Sequence, residues 1–129
     1  MNERVYSFER LIVWNDVRKL TKYIYAITAN FPESEKFGLV NQTRRSIVSV
    51  SSNIAEGSSR TGSKDQAHFY QIAYSSLMEL LSQTIVSFDL GFLQEENYNE
   101  IRKQIEAISA QLNALRKSTL NRDGQNKQS

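Results

Sequence analysis

The chain has 129 residues, with 16 basic and 14 acidic side chains, a formal charge of +2 and no cysteine. That length suits one domain able to bury a core unaided. The missing cysteines exclude disulfides, thiolate catalysis and cysteine-based zinc sites, and the basic excess falls short of one that would identify a nucleic-acid binder by itself.

In chain order, residues 1–10 read as a lead-in, pinned to the rest by Phe8, Leu11 and Ile12. Residues 11–119 read as one all-α unit of four helices, placed at about 13–31, 38–58, 64–90 and 95–118. In the first, Trp14, Val17, Leu20, Ile24, Ile27 and Phe31 recur at steps of three and four, which puts them on one stripe. Pro32 ends it, because the residue before a proline disfavours the helical region. The second carries Val40, Thr43, Ile47, Val50 and Ile54, with the small residues Ser46, Ser49, Ser51, Ser52 and Ala55 around them. A loop through Ser58-Ser59-Arg60-Thr61-Gly62 follows Gly57.

The third helix is expected to start at Ser63 as N-cap, with Gln66 at capping-box spacing. It continues through Phe69, Ile72, Ala73, Leu77, Leu80, Leu81, Thr84 and Phe88 to a C-terminal Gly91, on an apolar arc wide enough for more than one partner. In the fourth, Tyr98, Ile101, Ile105, Ile108, Leu112 and Leu115 alternate as in a coiled-coil seam. The short connections predict an antiparallel up-down-up-down bundle. Residues 120–129 are almost entirely polar and are expected to form a flexible tail. No stretch approaches the ~20 apolar residues of a membrane span. Nor does the N-terminus read as a secretory signal, so the cytoplasm is the default location.

No catalytic, cofactor-binding or metal-binding set emerges. Asp65 and His68 faintly echo a di-iron spacing, but His68 is the only histidine. Glu56 and Glu79 are the only carboxylates singled out for acid–base work. The informative cluster is polar: Gln42, Arg44, Arg45, Asn53 and Glu56 on the second helix, with Ser76 and Glu79 on the third. If those faces meet, the charges lie in a seam and must be paired. The plain expectation is therefore a structural network of Gln42, Arg45, Asn53, Glu56, Ser76 and Glu79. The alternative is that the arginines bind phosphate or another subunit. Candidate nucleic-acid or interface residues are Arg18, Lys19, Lys22, Arg44, Arg45, Arg60 and Lys64.

These residues also carry a resemblance. Leu11-Ile12-Val13-Trp14, Phe31-Pro32-Glu33-Ser34-Glu35-Lys36-Phe37-Gly38-Leu39, Gln42-Thr43-Arg44-Arg45 and Asn53-Ile54-Ala55-Glu56-Gly57 resemble the bacterial four-helix-bundle proteins encoded in intervening sequences of 23S ribosomal RNA genes. Phe69-Tyr70-Gln71-Ile72-Ala73, Ser75-Ser76-Leu77-Met78-Glu79-Leu80 and Leu90-Gly91-Phe92 extend it to roughly residues 8–118. Ser46 and Ser75 depart from the alanine and glycine the pattern favours. The family is similar to the accessory protein of diversity-generating retroelements, a basic pentameric barrel that contacts a reverse transcriptase and nucleic acid. The resemblance therefore implies a ring-like homopentamer without enzymatic activity, associated with RNA or DNA. A protein scaffold with a protein partner is the alternative. A formal +2 per chain becomes about +10 in such a ring, enough to attract a polyanion.

Overall fold

The computed structural model describes residues 3–128, with side chains described to Arg122. Four α-helices and no strand occur among the described residues: α1 (Ile12–Thr28), α2 (Asn41–Ser59), α3 (Ser63–Asp89) and α4 (Glu95–Gln128). Each packs on the next in sequence, and α4 also packs on α1, closing a four-helix bundle.

The apolar stripes meet in one core. Val17, Leu20 and Ile24 from α1, Ile47, Val50 and Ile54 from α2, Leu77 and Leu80 from α3, and Ile101, Ile108 and Leu112 from α4 are all essentially sealed from solvent. Burying such a side chain stabilises the fold by about 1.5–3 kcal/mol. The lead-in is held by a 3₁₀ turn at Ser7–Arg10, where Phe8 meets Trp14 edge-on at 4.9 Å and the Ser7 hydroxyl pairs with that of Ser58 at 2.5 Å. Ile12, expected to pin this segment, is instead 74% exposed.

Helix ends depart from the sequence expectation in three places. First, α1 ends at Thr28, not at residue 31, because its last turn tightens: Asn30 N–H donates to Ile27 and Phe31 N–H to Thr28. Phe31 still enters the core, and its ring meets Phe92 at 5.6 Å. A wide turn at Lys36–Val40 then precedes α2, broken at the non-helical Gly38 and capped by the Glu35 carboxylate on Leu39 N–H.

Second, Gly62, not Ser63, is the N-cap of α3 and has no side-chain cap; its carbonyl accepts from Gln66 N–H at 2.9 Å. The Gln66 side chain is drawn away to accept from Arg122. Third, α4 continues as helix past residue 118, through the segment expected to be a tail. Thr119 is buried and donates to the Leu115 carbonyl, and Arg122 reaches Gln66 on α3. Contact with a neighbouring helix thus supplies what the polar segment's own composition lacks.

Gly91 ends α3 as expected. Its φ of +80° is the left-handed conformation glycine adopts without penalty. Phe92 N–H donates to Ser87 and Gly91 N–H to Phe88, a Schellman closure.

Candidate nucleic-acid interface

The predicted polar cluster does not form a charged network in the α2–α3 seam. Small residues line that seam, and only short polar side chains fit inside it. Ser76 is buried and its hydroxyl pairs with that of Ser49 at 2.8 Å. Asn53 Nδ2 donates to both the carbonyl and the hydroxyl of Ser49. Gly57 lets the helices approach so closely that a Cβ there would stand 2.8 Å from the Tyr70 ring and 3.1 Å from the Gln66 carbonyl. The longer side chains lie outside: Gln42, Arg45, Glu56 and Glu79 are all exposed. Glu56 pairs with Arg60 at 2.6 Å at the end of α2, whereas Glu79 lies farther along, level with Ser46 and Ser49. The two carboxylates do not share a site.

The basic candidates separate into engaged and free groups. Arg44 is a brace between helices. Its Nε donates to Thr28 Oγ1 at 2.9 Å, a terminal nitrogen donates to the Tyr25 carbonyl at 3.1 Å, and its guanidinium lies 4.5 Å from the centre of the Tyr25 ring. It thereby places a cation on the last turn of α1, where the helix dipole favours one. Arg60 is held by Glu56, by Asp65 at 3.7 Å and by the face of Phe69. Arg18 lies over Trp14. Lys19, Lys22, Arg45 and Lys64 are exposed and make no ion pair within 4.0 Å among the described residues. Lys19 borders a cleft between α1 and α4 with Asp16, Tyr23 and Gln104. There burial, then the nearby Glu100 and Glu96, push the Tyr23 phenol up from its ordinary value. His68 is exposed beside Phe69.

The sequence reading missed a lengthwise segregation of charge. The Ser7–Ser58 bond, the Arg60–Asp65 pair and the hydrogen bonds Arg116–Gln71 and Arg122–Gln66 gather one end of the bundle. That end carries Arg10, Arg60, Lys64, Arg116, Lys117 and Arg122. The Phe31–Phe92 contact marks the other end, which carries Glu33, Glu35, Asp89, Glu95 and Glu96. Helix order alone predicts this, provided charges are assigned to ends and not to faces.

A family model described as 23S rRNA-intervening sequence protein matches residues 9–114. Among solved structures, the chain is similar to a protein of unknown function from the S23 ribosomal protein family of Bacteroides thetaiotaomicron. The match has 21% sequence identity and a TM-score of 0.74, over 82% of this chain and 99% of that one. No curated protein matches.

Proposed function

The chain belongs to the family of 23S rRNA-intervening sequence proteins, and from that premise we propose that it is a non-enzymatic, homo-oligomeric protein. In this reading it associates with structured RNA through phosphate contacts at the basic end of its bundle. The observation that carries the reading is the charge segregation: Arg10, Lys64 and Lys117 are exposed together at one end, away from the acidic end. Phosphate contacts need cations without intervening carboxylates, and an RNA duplex offers mainly its backbone and shape to a protein surface.

The finer architecture belongs to the same proposal. The helices run antiparallel, which the pairings Asp16–Gln111 and Tyr23–Asn97 support, since α1 ascends as α4 descends. Copies join in a ring-like oligomer, pentameric in the form the resemblance implies. Light scattering on the purified protein tests this, and a clean monomer contradicts it.

The RNA reading is tested by measuring hairpin RNA binding across a salt series. Replacing Arg10, Lys64 and Lys117 with glutamine lowers the salt slope by about one per phosphate contact removed. The same change at Arg18, Lys19 and Lys22 lowers it less. Absence of binding at low salt sinks the reading. A second reading, a scaffold for another protein, draws on Phe37 and Leu90, which are 86% and 55% exposed at the acidic end. It gains support if a stoichiometric protein partner survives nuclease treatment.

A further inference from the structure

Between α2 and α3 lies a half-open cleft of about 360 Å³, walled by Gln42, Arg45, Ser46 and Ser49 on one side and by Glu79 and Gln83 on the other. Three features of it are incomplete within one chain. Arg45 and Glu79 are exposed, and neither has an opposite charge within 4.0 Å among the described residues. The Gln83 amide oxygen is buried yet accepts no hydrogen bond, and such groups in folded proteins ordinarily have a donor. Val48 stands in the α2 wall, between Arg45 and Ser49 in sequence, and Val86 follows Gln83 by one turn of α3; they are 40% and 43% exposed.

We propose that this face is a two-fold contact between two copies of the chain, a step that rests on the homo-oligomeric reading above. A two-fold contact sets one patch against itself, so the patch must be self-complementary. This one carries one cation and one anion, amides that donate and accept, and an apolar residue on each wall. Arg45 of one copy meets the partner's Glu79, and the reverse pair forms across the axis. The valines lose water together, and a donor from the facing copy reaches Gln83. A polyanion is a poor occupant, because Glu79 repels phosphate as strongly as Arg45 attracts it. The contact joins chains in pairs and is distinct from whichever contact closes a ring.

The test is the solution mass of the full chain by light scattering, with circular dichroism confirming that each variant is folded. The wild type contains an even number of chains. R45E and E79R each halve that mass, since each places like charges on both sides of the axis. An equimolar mixture of the two variants restores the wild-type mass, because the reversed charges then oppose each other. An odd-numbered wild-type assembly, a mass unmoved by either reversal, or a mixture that fails to reassemble overturns the proposal. A ring of five unaffected by both reversals leaves the homo-oligomeric reading standing, whereas a monomeric wild type removes both.

Discussion

Gly57 shows how much one missing carbon can decide. In an exposed helix interior, replacing glycine with alanine stabilises by about 1 kcal/mol. Here the added Cβ would lie 2.8 Å from Tyr70 Cε1, 3.0 Å from Phe69 Cβ and 3.1 Å from the Gln66 carbonyl oxygen. Two of these atoms are backbone or the root of a side chain and cannot swing aside, so α2 and α3 must separate. G57A is therefore expected to lose about 1–3 kcal/mol net, the usual range for overpacking, seen as a lower urea midpoint. Its neighbour Tyr70 makes a pH prediction. Burial raises its phenol pKa above the ordinary 10.0, and Arg122 partly offsets the shift. Above pH 10.0 the unfolded chain releases this proton while the folded chain still holds it. The stabilisation is complete below that value and is lost as pH rises through the higher folded pKa. Tyr70→Phe should show a shallower loss of stability above pH 10.0 than the wild type, measured by urea unfolding at matched pH.

At the scale of an element, the end of α1 depends on a side chain from another helix. Thr28 Oγ1 donates to the Ile24 carbonyl and accepts from Arg44, which also binds the Tyr25 carbonyl. R44M keeps much of the aliphatic stem but removes both donors and the cation. It is expected to destabilise the bundle by about 1–2 kcal/mol, read as a lower thermal midpoint, with hydrogen exchange quickening first in the last turn of α1. This brace also explains what was legible in advance. Ile101, Ile105, Ile108 and Leu112 declare their helix because each step of three or four is local, and all four are buried. The end of α1 is set by a residue 16 positions on, and the continuation of α4 is tied to Gln66, 56 positions back from Arg122. No local pattern encodes either. The candidate site was legible in the same uneven way. The residues of the polar cluster were identifiable, and Ser49, Asn53 and Ser76 do meet. That Arg45 and Glu79 would lie outside the seam depended on how closely α2 and α3 approach, which Gly57 and the serines allow only as a pair of surfaces.

For the whole molecule, the question is whether a formal charge of +2 can organise binding to a polyanion. Net charge alone is too small, but distance changes the answer. The 27 residues of α3, at about 1.5 Å per residue, place the ends of the bundle some 40 Å apart. The screening length at physiological salt is about 8 Å. The acidic end therefore contributes little field at the basic end, and an approaching RNA meets the local excess around Lys64, Lys117 and Arg10, not the average over the chain. This predicts an asymmetry that net charge does not. K117E and K36E make the same change in total charge at exposed positions on opposite ends. K117E should weaken RNA binding by about tenfold, the effect of losing one phosphate contact and adding a repulsion, and should lower the salt slope by about one. K36E should change affinity by no more than about twofold. Equal effects from the two substitutions, in one titration series at fixed salt, would mean that overall charge governs binding and would remove the basic end as the contact surface.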